Sequence, residues 1–388
     1  MGTELDSRGP RTFGNGAGIA FAPVRVPTSL PDSMKIAQVA PLFESVPPTA
    51  YGGTERVVSY LTEALVAQGH EVTLFASGDS DTAATLQPMC ERSLRTDPRR
   101  PDWVMRHTMM VDEVFSQAHG FDVIHWHIDF LHYPLAQRFS VPSVTTLHGR
   151  LDLPDLVELH QQFQAMPLVS ISDSQRAPML QANWCGTVYH GLPLSLYGFH
   201  ETPGDYFAFV GRVSPEKGLD RAIGIAIACG TPLRIAAKVD RADEAYFEQV
   251  IRPLLDHPLI DFVGEIGDAQ KNDFIGRAKA LLFPVDWPEP FGLVMIEALA
   301  CGTPVVAWQR GSVPEVIKHG VTGFVVDNQA DAIAAARNIH RIDRTRCREV
   351  FERRFSADTM AHRYLQVYQA LIDARSDNNA QAAALKAA

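Results

Sequence analysis

From Lys35 onward, short runs of β-favouring apolar residues alternate with amphipathic stretches, and the alternation occurs twice, on either side of a Pro/Gly-rich segment. The run Lys35–Ala40 reads as a strand. After a loop rich in Gly and Pro, Val57, Val58, Leu61 and Leu65 recur at helical spacing, with Thr54 suited to the N-cap and Gly69 to the C-terminal stop. Val72–Ala76 is the next strand and completes a β-α-β unit, which implies a parallel sheet. Further strands are expected at Val123–His127, Ser143–His148, Leu168–Ser172 and Thr187–Tyr189. The second half repeats the pattern with Tyr206–Val210, Leu233–Val239, Ile260–Val263, Ala280–Pro284, Pro304–Ala307 and Gly323–Val326.

A chain of 388 residues exceeds what one core usually supports, so the two alternations read as two α/β domains, each a doubly wound sheet. The expected organisation is a disordered extension over 1–33, a first domain over 34–192, a linker over 193–204 and a second domain over 205–355. A helix over 356–375 is expected to pack back across the hinge, ahead of a disordered tail over 376–388. Doubly wound domains place ligands at the carboxyl ends of their strands, so a shared ligand would sit in the cleft between them.

Composition narrows the partners. The formal net charge of -10 argues against a nucleic-acid partner, which normally demands a basic face. Arg92, Arg95, Arg99, Arg100 and Arg106 form a local basic cluster; a solvated surface is the preferred reading, with peripheral contact to an anionic lipid or acceptor as the alternative. No apolar stretch approaches the ~20 residues of a membrane-spanning helix. Five scattered cysteines without a C-x-x-C pair, and no usable signal peptide, lead to the expectation of a cytoplasmic protein.

The most informative stretch runs from Pro288 through Glu289, Pro290, Phe291, Gly292, Leu293, Val294, Met295 and Ile296 to Glu297. An apolar strand leads into a Pro/Gly loop whose amides open a helix, and a helix N-terminus can hold a diphosphate or sugar oxygens. One carboxylate can then accept hydrogen bonds from sugar hydroxyls while the other grips a ribose diol. In FVGRVSPEKG a strand ends at Gly211, Arg212 leaves it, and a Ser-Pro turn returns Lys217 beside a helix start. Two cations at one strand end suit a diphosphate. Tyr51-Gly52-Gly53 joins the first strand to the first helix, where glycine lets amides approach a ligand.

EPFGLVMIE with the trailing EALACGTPVVA resembles the E-x7-E signature of retaining glycosyltransferase family 4, which has the GT-B fold. The resemblance extends to PLFESVPPTAYGGTERVVSYLTEALVAQGHEVTLF, VSISDSQR, VYHGLP, FVGRVSPEKG and RGSVPEVIKHGVTGFVV, and spans roughly residues 34–373. It implies transfer of a hexosyl group, with retention at the anomeric carbon, from a nucleotide diphosphate sugar such as UDP-glucose or GDP-mannose to an acceptor that stays open. It implies no cofactor and no metal. Arg212 and Lys217 would hold the diphosphate and stabilise its charge on departure. Glu289 would serve the hexose and Glu297 the ribose. Gly53, beside Gly52, would face the donor, His148 would lie near the transferred sugar, and Ile266 backbone groups would meet the nucleobase. Phe291, Gly292, Leu293 and Val294 would complete the donor site.

Other readings are weaker. His125, His127 and Asp129 share one face of a strand and resemble the start of an HxHxDH metallohydrolase motif, but Phe130 stands where the last His belongs. Asp79-Ser80-Asp81 has no context that supports a metal site. Gly14-x-Gly16 follows no strand and lacks the third glycine of a dinucleotide fingerprint. A glycoside hydrolase would need its two carboxylates to flank one bond. A non-catalytic protein that binds sugar nucleotides would share the binding residues, and release of nucleoside diphosphate distinguishes it.

Overall fold

The computed structural model describes residues 33–49 and 52–387. The first sheet contains β1 (Lys35–Val39), β2 (Glu71–Ser77), β3 (Thr85–Cys90), β4 (Val123–Trp126), β5 (Ser143–Thr146), β6 (Leu168–Ser170) and β7 (Trp184–Thr187). Their order across the sheet is β3-β2-β1-β4-β5-β6-β7. The second sheet contains β8 (Phe207–Arg212), β9 (Leu233–Lys238), β10 (Ile260–Gly264), β11 (Ala280–Phe283), β12 (Val305–Trp308) and β13 (Gly323–Val326), in the order β10-β9-β8-β11-β12-β13. Every pairing in both sheets is parallel. Parallel strands are covered on both faces by their crossover helices, and the central runs are accordingly apolar and buried: Leu281, Leu282, Val305 and Ala307 are all fully enclosed.

Both sheets reverse strand order next to their first strand, between β1 and β4 and between β8 and β11. Loops that leave the carboxyl ends there diverge to opposite faces and open a crevice. The two α/β domains are therefore doubly wound, as the alternation predicts.

Several local expectations need correction. The first helix spans Gly53–Ala67 with Gly52 as N-cap and no side-chain cap, so Thr54 lies inside the helix rather than capping it. Strand β3 was not expected because Pro88 interrupts its pattern; it is an edge strand, where a missing N–H is tolerated. The last strand of the first sheet is Trp184–Thr187, not Thr187–Tyr189. The final helix runs from Ala357 to Ala387, through most of the segment expected as a disordered tail over 376–388, in keeping with the high helix propensity of an Ala-rich segment. The extension expected over 1–33 lies outside the described residues except for Ser33, whose hydroxyl donates to the Gly69 carbonyl.

The chain crosses between domains twice, side by side. Leu192 N–H donates to Phe355 O at 2.9 Å, and Ala357 N–H donates to Leu192 O at 2.8 Å. After the second crossing the final helix returns to the first domain and buries Tyr364 and Tyr368 against it. Gly191 is required at the crossing, since a Cβ there would stand 2.3 Å from the Ser356 carbonyl oxygen. Gly191→Ala should therefore lower stability by about 1–3 kcal/mol, the usual cost of overpacking. Gly120→Ala, where a Cβ meets nothing within 4 Å, should be close to neutral. Urea unfolding midpoints of the two variants check this pair.

Candidate active site

The loop from β11 to the helix Leu293–Ala300 is shaped by two glycines with positive φ. Gly292, at φ 77°, is the helix N-cap, and a Cβ there would stand 2.9 Å from the Met295 methyl and 3.1 Å from the Phe283 ring. Gly311, at φ 54°, lets its strand of chain press on the loop, since a Cβ would lie 2.3 Å from the Glu289 carbonyl oxygen. Ser312 then staples the loop: its N–H donates to Glu289 O at 2.9 Å and its hydroxyl to Phe291 O at 2.8 Å. The result is a fixed turn that aims both glutamates and the first helical amides into one cleft.

Each glutamate is buried and each holds a lysine. Glu289 Oε2 accepts from Lys217 Nζ at 2.5 Å and from the Trp287 indole N–H at 2.9 Å. Glu297 accepts from Lys271 Nζ at 3.0 and 3.3 Å. A buried carboxylate without a counterion carries a heavy desolvation cost, and each glutamate has its counterion in the lysine beside it. Arg212 leaves the end of β8 and meets Glu216 at 2.6 Å and Asp243 at 3.5 Å. Lys271 also lies 3.6 Å from Asp268, which bonds Arg56 of the first helix and so ties the two domains together across the cleft.

The opposite wall comes from the first domain. Gly52 and Gly53 open the first helix, and the Cβ position of Gly53 lies 4.0 Å from the Leu293 side chain, so two helix N-termini face each other. Their like-signed dipole ends favour an anion between them. His148 follows β5 and lies 2.9 Å from His127 through its Nε2, with its ring stacked on His190 at 5.4 Å. Burial lowers the His148 pKa to about 3 and holds His125, His127 and His190 well below the usual range. All four are neutral imidazoles at pH 7.

The cleft encloses about 1120 Å³. The residues expected at the donor site all lie on its walls: Gly52, Gly53, His148, Arg212, Lys217, Ile266, Glu289, Phe291, Gly292, Leu293, Val294 and Glu297. Sequence reasoning missed Lys271 and Trp287, which carry no motif, and Arg56, which lies in the stretch YGGTERVV without a role of its own there; all three reach the site through the fold. The His125, His127, Asp129 triplet does not converge. His125 spends both ring nitrogens on Tyr368 and Thr146, each at 2.7 Å. Among the described residues no group of three or more His, Cys, Asp or Glu is placed to hold a metal ion. Asp79 instead closes a turn by accepting from the Ser93 N–H and hydroxyl. In the basic cluster, Arg95 pairs with Glu44, and Arg99 with Asp97 and Glu91. No helix among the described residues is long and apolar enough to cross a membrane.

The chain resembles several known proteins. Residues 199–349 match the family described as Glycosyl transferases group 1, and residues 51–176 match Glycosyltransferase Family 4. The chain is 26% identical to glycogen synthase of Mycobacterium tuberculosis, over 82% of this chain and 92% of that one. It is also 26% identical to phosphatidyl-myo-inositol mannosyltransferase of Mycobacterium leprae, over 87% and 96%. Sucrose-phosphate synthase from Thermosynechococcus elongatus superposes with a TM-score of 0.73 at 19% identity, over 88% of this chain and all of that one. Anabaena Alr3699/HepE in complex with UDP and glucose superposes with a TM-score of 0.67 at 18% identity, over 87% and 99%.

The neutral histidines set a pH dependence. Their folded pKa values are depressed, so the unfolded chain binds more protons below pH ~6.5, and stability must fall as pH drops through that value toward the folded pKa. Each such histidine contributes a slope of up to ~1.4 kcal/mol per pH unit in that window and nothing above it. Urea midpoints should be flat between pH 7.5 and 8.5 and decline steadily from pH 6.5 to 5; His148→Asn should make the decline shallower.

Proposed function

We propose that the chain is a glycosyltransferase of the GT-B superfamily, a retaining enzyme of family 4 that moves a hexosyl group from a nucleoside diphosphate sugar to an acceptor hydroxyl without a metal ion. The observation that carries this reading is the pair of Lys–Glu contacts, Lys217 with Glu289 and Lys271 with Glu297, at the start of one helix beside the β8/β11 crevice. The donor's parts then distribute along the wall. The diphosphate lies against Lys217, Arg212 and the helix amides, the hexose meets Glu289, and the ribose meets Glu297. The nucleobase reaches the backbone at Ile266.

Departure of the nucleoside diphosphate builds negative charge on its β-phosphate. Fixed cations and helix amides stabilise that charge more than the ground state, and this differential is what accelerates transfer. Arg212 reaches the phosphate by exchanging its carboxylate partners for it. Retention without a separate base follows if the leaving phosphate oxygen takes the acceptor proton on the same face. No side chain is therefore assigned as general base. The alternative of a sugar-nucleotide-binding protein without turnover shares every one of these contacts and differs only in product release.

Thermal stabilisation by UDP, GDP and ADP identifies the base, because a ligand that binds only the folded chain raises its stability by mass action. Release of nucleoside diphosphate from a panel of donors with acceptor mixtures tests turnover; binding without release under every acceptor would leave the non-catalytic reading. Activity, once found, should survive EDTA, and full loss restored by a divalent cation would contradict the assignment of Arg212 and Lys217. Lys217→Ala should weaken nucleoside diphosphate binding by about 1.5–3 kcal/mol while leaving nucleoside binding nearly unchanged.

Glu297→Gln should weaken binding of the free nucleoside diphosphate, by about 1–3 kcal/mol. Glu289→Gln should act mainly on turnover and on the intact donor, since only these involve the hexose. Calorimetric titration of both variants with diphosphate and with donor separates the two roles.

A further inference from the structure

The donor's parts take up the wall of the second domain and the two facing helix starts, which leaves one corner of the cleft without an occupant. That corner is built by the first domain, from the loops after β1, β3 and β4 and from the first turn of the helix Trp103–Ser116. Asp102 caps this helix by accepting from the Met105 N–H at 2.9 Å, and the capped turn sets Trp103 at the cleft edge. The indole lies 5.8 Å from the Phe43 ring and edge-on to His107 at 6.0 Å, yet 46% of the residue stays exposed. A large aromatic ring that is held by two neighbours and left open to the cleft is a platform for a ligand.

Two polar side chains stand beside the platform. The Arg95 guanidinium sits 5.9 Å over the Phe43 ring, and Glu44 holds it through one nitrogen, Nη1, at 2.9 Å. A guanidinium has five N–H donors, so most of those on Arg95 are left for something else, and its side chain is 55% exposed. Asp129, in the loop after β4, is exposed on the cleft wall and makes no hydrogen bond or ion pair with any described residue. Its backbone is left-handed, at φ 54°, a conformation that glycine takes without cost. The sequence therefore keeps a carboxylate where the backbone favours glycine. Ile128 and Leu131, which flank Asp129, pack on the same core cluster as Phe43, and this brings the carboxylate and the platform to one corner.

Of three ligand chemistries that reach such a corner, two fit badly. An alkyl chain would cover the indole but strip water from Asp129 and Arg95 without replacing it, at a heavy cost. A phosphate or carboxylate would be drawn to Arg95 but repelled by Asp129. A pyranose suits all of the groups. Its face of C–H bonds carries slight positive charge and meets the negative face of an indole. Its rim of hydroxyls can donate to Asp129 and accept from Arg95.

We propose that this corner is the acceptor subsite and that the acceptor is a neutral saccharide, its ring laid on Trp103 and its hydroxyls held between Arg95 and Asp129. The proposal rests on the glycosyltransferase reading for the ligand's part in the reaction; the affinity of the corner for a saccharide is a property of the chain alone.

The experiment titrates the full chain, alone and with UDP, GDP or ADP, against a panel of neutral mono-, di- and trisaccharides, and follows intrinsic tryptophan fluorescence. At least one saccharide should change the emission of wild type, and the change should vanish in Trp103→Phe, which keeps a ring and removes the reporter. Asp129→Gly suits the backbone and removes only the carboxylate, so it should keep the urea midpoint near that of wild type and weaken saccharide binding by about tenfold or more. In turnover with that saccharide, Trp103→Ala and Asp129→Gly should raise the acceptor KM by about tenfold or more, with donor KM and nucleoside diphosphate affinity within about twofold of wild type.

A panel that leaves the wild-type emission unchanged under all these conditions overturns the proposal, as does a Trp103→Ala enzyme with the acceptor KM of wild type. Release of nucleoside diphosphate only to a lipid or another non-sugar alcohol also overturns it, and the transferase reading then stands without it. Saccharide binding that depends on Trp103, with no release from any donor, keeps the subsite and sinks the transferase reading.

Discussion

A parallel sheet reaches its carboxyl edge with every chain leaving in the same direction, and a reversal of strand order opens a gap there that no backbone can fill. Both halves of this chain have that gap next to their first strand. When two such edges face each other, the gaps combine into one cleft, and the residues just past β1, β4, β5, β8 and β11 become its walls. The chemistry of the site is thus a consequence of where strands stop. Arg212 ends β8, His127 and His148 follow β4 and β5, and Glu289 lies in the loop after β11.

Within that cleft the balance of charge is local. The chain as a whole is acidic, yet the wall formed by the second domain has Lys217, Lys271 and Arg212, each held by a carboxylate. A cation that is already paired costs less to keep in a partly dry wall than a lone one, and it does not attract anions indiscriminately. A bound diphosphate must compete with those carboxylates. The competition favours a ligand that offers hydroxyls to the glutamates at the same moment as it offers phosphate to the cations, which is the composition of a sugar nucleotide.

Much of this was legible in the sequence because the informative residues are local. The alternation of strand and helix patterns needs only neighbouring residues, and the loop 288–297 carries its glycines, glutamates and helix start in one stretch. What could not be read depends on distance in the chain. Lys271 meets Glu297 from 26 positions away and Arg56 meets Asp268 across the domains, and no local pattern links either partner to the other. The His125 and His127 pair looked like metal ligands because strand alternation puts them on one face; the tyrosines that occupy that face come from the far end of the sequence. Edge strands were the other loss. Pro88 and the irregular start of β7 blur the period that marks a central strand.

The double crossing at Leu192 and Ser356 gives the molecule a mechanical property that neither domain has alone. Two backbone segments bonded side by side act as a pivot of almost no length, so the domains can rock but have little freedom to slide. The helix beyond the second crossing is downstream of the second domain in sequence but rides with the first domain in space. The terminal segment is therefore a rigid passenger of the half it does not adjoin. Any rocking that moves the second domain's wall toward His148 leaves the buried tyrosines seated against the first domain, and their hydrogen bonds behind the cleft stay made while the cleft itself opens and shuts.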